Sequence, residues 1–160
     1  MSGSKFMTHS NQGADSTLMK DTTNHLSENA RALSVAGPAT ILVIDDDPAM
    51  RTILNFSLTA LGYLVLVAGD GEGALKLAVD HPEIRLIMLD VVMSGLSGKE
   101  LAEQLKTNLP ESSVLFCSGH PAAVMSRHDI DLRFEHFLQK PCHPAELKQK
   151  LEEVLATGPS

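Results

Sequence analysis

The run ILVIDDDPAM, residues 41–50, decides how this chain is read. A short apolar stretch runs straight into three aspartates, and a proline follows them. Like charges placed side by side repel, so three of them where a strand runs out call for either a cation or separate local duties.

Runs of the same kind recur along the chain. TILVI (40–44), LVLV (64–67), IRLIML (84–89), SVLFC (113–117) and EHFL (135–138) are continuous rather than alternating. That pattern predicts parallel strands covered on both faces. Helical spacing fills the gaps: Met50, Ile53, Leu54, Leu58 and Leu61 make one apolar stripe, Leu101, Ala102 and Leu105 a second, and Leu147, Leu151, Val154 and Leu155 a third. Segments 71–80 and 121–130 fill the two remaining helical slots. Five β-α units of this size predict an α/β fold, a doubly wound five-stranded parallel sheet between two helical layers. In such sheets the ligand sits beyond the carboxyl ends of the strands.

The domain is expected over residues 39–157, with a flexible tail at 1–38 and a short one at 158–160. The first segment is rich in Ser, Thr, Asn and Gly, and the spacing of Leu18, Leu26, Ala30 and Leu33 leaves open a short docking helix there. With 160 residues, 43% of them hydrophobic, the chain can bury a core of its own. A formal net charge of -7, with 13 scattered Lys and Arg, argues against a grip on nucleic acid phosphates and for proteins or cations as partners. No apolar stretch reaches the ~20 residues of a membrane span, so a cytoplasmic location without membrane insertion is expected. Cys117 and Cys142 have no CxxC spacing and are read as two reduced thiols.

This strand placement gathers on one rim Asp45, Asp46 and Asp47 from strand 1, Asp90 from strand 3, Ser118 from strand 4 and Lys140-Pro141 from strand 5. Carboxylates in one crevice need a cation to remain ionised together. Oxygen-only ligands favour Mg²⁺, with Mn²⁺ as its substitute, and Mg²⁺ commonly takes one or two carboxylates plus a phosphate. The Ser118 hydroxyl and the Lys140 ammonium can each meet a phosphoryl oxygen.

The order IDDDP, LDVVMSGLSG, LFCSGH and FLQKP resembles the receiver domain of two-component response regulators. The separations carry the likeness: Asp90 lies 28 residues before Ser118 and 50 before Lys140. The resemblance implies a flavodoxin-like sandwich and a phosphoacceptor at Asp90, modified by a histidine kinase or a histidine phosphotransfer protein. It implies Mg²⁺ held directly by Asp46, through water by Asp45, and by Asp90 and the Val92 carbonyl. Asp47 is then left to cap the helix that Pro48 opens. Ser118 and Phe137 take the switch positions, Lys140 the phosphoryl contact, and Lys140-Pro141 the cis peptide. Val92 and His120 flank the path of the hydrolytic water. Two departures stand out: Ser94 where many members carry proline, and Cys142 where an aromatic is usual. Such a protein accepts a phosphoryl group without being an enzyme in the ordinary sense, and it signals through a protein-binding surface. No output domain is expected after residue 157, and the LFCSGH and FLQKP segments are similar to receivers at the ends of hybrid kinases.

Other readings stand beside this one. The chain is alternatively a phosphorylation-independent docking scaffold, or a small haloacid-dehalogenase-like phosphohydrolase using the DxD of Asp45 and Asp47. The segment Gly69–Ala74 fits GxGxxA, but Asp70 and Glu72 would face a pyrophosphate, so a turn and helix start is preferred. Phe137 and Cys117 also suit plain core positions, and the histidines read as surface residues.

Overall fold

A computed structural model describes residues 37–95, 97–119 and 136–159, and its sheet and helices lie within one unit, Pro38–Ser160. The elements are β1 (Thr40–Ile44), α1 (Pro48–Ala60), β2 (Leu64–Ala68), α2 (Gly71–Asp80), β3 (Ile84–Asp90), α3 (Gly98–Asn108), β4 (Ser113–Ser118), β5 (His136–Gln139) and α4 (Pro144–Thr157). The suggested helices at 16–33 and 121–130, and His120, lie outside the described residues.

All pairings in the sheet are parallel, in the order β2-β1-β3-β4-β5. The two-residue period of a strand divides the core. Leu42 and Ile44 of β1 join Ala74 and Ala78 of α2 and Leu101 and Leu105 of α3 on one face. Ile41 and Val43 join Leu54 and Leu58 of α1 and Leu147, Leu151 and Val154 of α4 on the other. The result is the expected three-layer, doubly wound α/β sandwich.

Local chemistry sets the helix starts. Asp47 caps α1, its carboxylate accepting from the Ala49 amide at 2.8 Å, and Pro48 occupies the first turn. Asp70 caps α2 by accepting from the Gly73 amide at 2.7 Å, as the turn-and-helix reading of Gly69–Ala74 expects. Ser97 and Glu100 form a reciprocal capping box on α3. After α1 the chain turns at Gly62, whose φ of 92° suits glycine and few other residues.

Two expectations need correction. The apolar run of β2 predicted cover on both faces, yet β2 is an edge strand, and Leu64 and Val67 are 55% and 41% exposed. A strand with one sheet neighbour lies at the margin of both helical layers. Ile53, read into the α1 stripe, is 57% exposed. The buried stripe runs through Met50, Leu54, Leu58 and Leu61, and Ile53 sits about 100° around the helix from Leu54.

Candidate functional site

The strand order changes direction between β1 and β3, the point at which a doubly wound sheet opens a crevice at its carboxyl rim. Ile44 pairs in register with Leu89, so the next residue of each strand, Asp45 and Asp90, come out side by side. One carboxylate oxygen from each of Asp45, Asp46 and Asp90 lies within 4.8 Å of the others. Asp47 stays out of that group and caps α1.

The three carboxylates differ in setting. Asp45 is 1% exposed, Asp90 is half-buried and Asp46 is open to solvent. One Asp45 oxygen accepts from the Asp47 amide at 2.9 Å, and one Asp90 oxygen accepts from the Val92 amide at 2.9 Å. The remaining oxygen of each meets the Lys140 ammonium, which ion-pairs with Asp45 and lies 3.0 Å from Asp90. Burial pulls the Lys140 pKa down, but the hydrogen bond to Asp45 and the charge of Asp90 outweigh it and hold it above the ordinary lysine value. Lys140 is therefore a cation set between two anions.

Backbone contacts fix that placement. The Lys140 amide donates to the Ser118 carbonyl at 2.9 Å, and the Lys140–Pro141 peptide is cis. Ser118 is fully buried at the end of β4, next to Cys117, which pairs in register with Asp90. Phe137 pairs in register with Phe116 and packs half-buried against the α2–α3 side of the core. Val92, 53% exposed, stands two residues beyond Asp90.

Behind the rim, Cys117 belongs to the α1–α4 core and Cys142 packs against it; both are free thiols. Burial pushes the Cys117 thiol up to about 12, against the opposing pull of Lys140.

The sequence pattern gives Arg51 no part at the rim, but its guanidinium donates to the Asp45 carbonyl at 2.7 Å and lies against Gly69. A β-carbon on Gly69 would come within 3.0 Å of that guanidinium, so glycine leaves the room it needs. The available signal was a basic side chain about one turn into α1, long enough to reach back over the strand end.

Three carboxylates and one ammonium leave the cluster with two uncompensated negative charges if all are ionised. A small divalent cation suits this donor set: only oxygen is offered, the oxygens are close, and one carboxylate is open to solvent. Among the described residues no helix is long and apolar enough to cross a membrane.

Comparison with known proteins agrees with this geometry. The family model of the response regulator receiver domain matches residues 41–152. Over 72% of its length the chain is 32% identical to the alkaline phosphatase synthesis transcriptional regulatory protein PhoP of Bacillus subtilis, of which the match covers 48%. Over 74% it is 34% identical to the response regulator MprA of Mycolicibacterium vanbaalenii, of which it covers 51%. The chain thus spans about half the length of these curated relatives. Among solved structures, the receiver domain of the hybrid histidine kinase CckA matches with a TM-score of 0.62 and 31% identity, over 73% of this chain and 99% of that one. The response regulator TrrA of Thermotoga maritima, solved in complex with Mg²⁺ and BeF, matches with a TM-score of 0.62 and 27% identity, over 72% of this chain and 98% of that one. The rim that holds Asp45, Asp90 and Lys140 lies inside the matched segment, and the chain belongs to the response regulator receiver family.

Proposed function

We propose that Asp90 accepts a phosphoryl group from a phosphohistidine on a histidine kinase or a histidine phosphotransfer protein. An Asp90 oxygen forms a bond to phosphorus as the nitrogen–phosphorus bond breaks, and the released imidazole takes up a proton. The observation that carries this reading is the Asp45–Lys140–Asp90 cluster, two neighbouring strand-end carboxylates clamped by one ammonium.

Mg²⁺, when bound, offsets the charge of the carboxylates and of the arriving phosphoryl group; Asp46, Asp90 and the Val92 carbonyl would hold it directly and Asp45 through water. Lys140 then moves its contact from carboxylate to phosphoryl oxygen. The Ser118 hydroxyl meets another oxygen, and Phe137 turns inward to reshape the adjoining surface. That surface docks a downstream protein, a two-state element biased by new charge-assisted contacts. The protein turns over no separate substrate in this reading and acts in the cytoplasm. Asp45 is a poor nucleophile for the phosphohydrolase alternative, because it is 1% exposed and out of reach of a substrate.

Beryllofluoride or acetyl phosphate with Mg²⁺ should modify Asp90 alone, with complete loss of modification in Asp90→Asn. Intact mass and peptide mapping decide it. Modification that persists in the variant, or that needs no divalent cation, removes the reading. Valine at position 92 has no group to orient a water, so the phosphoform should be long-lived and Val92→Asn should shorten it. If Val92→Asn has no effect while His120→Ala slows phosphate loss tenfold, the roles given to Val92 and His120 are wrong.

A further inference from the structure

The two edges of the sheet are built differently. At one, β5 is four residues long and carries His136 and exposed Gln139 before Lys140. Short, polar strands of this kind blunt an edge. At the other, β2 reads Leu-Val-Leu-Val-Ala, without a charge, a proline or a bulge in its pairing with β1. Exposed Leu64 and Val67 line it.

The backbone of β2 is also open. The Leu64 amide donates to the Ala39 carbonyl, and the Ala68 carbonyl accepts from the Asp45 amide, so these two residues turn their peptide groups toward β1. Because a parallel strand alternates, the N–H and C=O groups of Val65 and Val67 point away from the sheet. Among the described residues no strand pairs with that side. A row of open donors and acceptors is complementary to one thing, another extended strand.

We infer that β2 pairs antiparallel with the β2 of a second copy of this chain, joining two five-stranded sheets into one of ten. Centred on Leu66, a two-fold axis sets Val65 opposite the partner's Val67 and Val67 opposite the partner's Val65. Each such pair exchanges both backbone hydrogen bonds. The same surface serves both copies, as two-fold symmetry requires. Each chain carries -7, so a contact between two copies is least opposed where charge is absent, and no charged residue falls between Gly62 and Gly69. The flanking face of α1 adds exposed Ile53 and Phe56, 57% and 78% accessible, and its single charged residue, Arg51, is engaged with the Asp45 carbonyl. Antiparallel pairing leaves the two Asp90 rims at opposite ends of the joined sheet. Self-association is therefore independent of the phosphoacceptor reading.

Sedimentation equilibrium of the full chain tests this, together with its Val67→Lys variant and with Leu66→Cys in a Cys142→Ser background. Wild type should approach twice its 17.2 kDa as concentration rises, and Val67→Lys should weaken association at least tenfold while keeping a native circular dichroism spectrum. Leu66→Cys should cross-link to itself on oxidation, since residues facing each other in a non-hydrogen-bonded antiparallel pair stand ~4.5 Å apart, within disulfide reach. A chain that stays monomeric to about millimolar concentration overturns the inference. So does a dimer that Val67→Lys leaves intact and Leu66→Cys fails to trap, or a β2 edge that captures an extended peptide without self-pairing.

Discussion

Asp45 and Leu64 lie at the two ends of neighbouring strands and break the usual rule of burial in opposite directions. Asp45 is charged and 1% exposed; Leu64 is apolar and 55% exposed. Burying an ion costs several kcal/mol unless a partner offsets it, and leaving a leucine half in water forgoes about 1 kcal/mol. Neither arrangement stabilises the folded chain, so each is better explained by what it meets. At the rim the structure holds an internal cation, Lys140, between two anions, which in the proposed function an external cation and a phosphoryl group would claim. At the β2 edge it holds open peptide groups among apolar side chains, which an external strand can claim. On these proposals, charge at the rim suits small, highly charged ligands, and its absence at the edge suits a neutral backbone.

The largest effect should come from removing the internal cation. Lys140→Met leaves Asp45 and Asp90 facing each other with no ammonium, and losing one partner of a mostly buried pair costs on the order of 3 kcal/mol. Urea unfolding in a chelator should show that loss, and Mg²⁺ should restore more stability to the variant than to wild type. A loss below about 1 kcal/mol would mean that water, and not Lys140, balances the rim.

Cys117 tests the floor of the same rim by pH. Its native pKa of about 12 lies above the ordinary thiol range, so between ~8.5 and that value the folded chain keeps a proton that the unfolded chain releases. Stability contributed by the neutral thiol is complete below ~8.5 and falls by about 1.4 kcal/mol per pH unit above it. Comparing pH 8 with pH 10 stays below most lysine and tyrosine titration. Wild type should lose about 2 kcal/mol more than Cys117→Ala over that interval. Equal losses would show that the thiol is not sealed from water.

Much of this architecture was legible along the chain, and what was not has a physical cause. The helix starts could be read because Asp47-Pro48 and the Gly69–Ala74 turn act locally, through the caps of Asp47 and Asp70. The gathering of Asp45, Asp46 and Asp90 followed once the strands were placed, because strand ends in a parallel sheet share one rim. The exposure of β2 was not legible: LVLVA has the same apolar pattern at an edge as at the centre, and only the strand order tells them apart. Ile53 was misplaced for a related reason, since one position along a helix turns a side chain from the core toward solvent. Neither the reach of Arg51 to the Asp45 carbonyl nor the double pairing of Lys140 leaves a mark in the sequence beyond a basic residue, because both depend on where the strands come together.

A smaller change should separate the rim's function from its stability. Asp46 is the solvent-exposed member of the carboxylate group, and Asp46→Asn removes one repelling charge without opening a buried site. In chelator the variant should be more stable than wild type by about 0.5 to 1 kcal/mol, and Mg²⁺ should raise its melting temperature far less than it raises that of wild type. If the variant is destabilised and still responds fully to Mg²⁺, Asp46 is neither repelled by its neighbours nor part of the cation site.

The smallest effect belongs to the β2 edge, and its smallness is informative. Val67 points its peptide groups away from β1 and leaves 41% of its surface accessible, so Val67→Lys removes no hydrogen bond of the sheet and only part of an apolar contact. The aliphatic stem of lysine can cover the same surface while its ammonium stays in water. For the isolated monomer the cost should be about 0.5 kcal/mol, in the range of ordinary surface substitutions, when unfolding is measured at micromolar concentration. Leu66→Lys is the internal reference: Leu66 turns toward β1 and packs against the α2–α3 side of the core, so a charge there should cost several times more. If instead the two substitutions destabilise the monomer equally, Val67 is part of the fold's own packing. The edge would then be no counterpart to the rim, since its apolar side chains would already be committed within one chain.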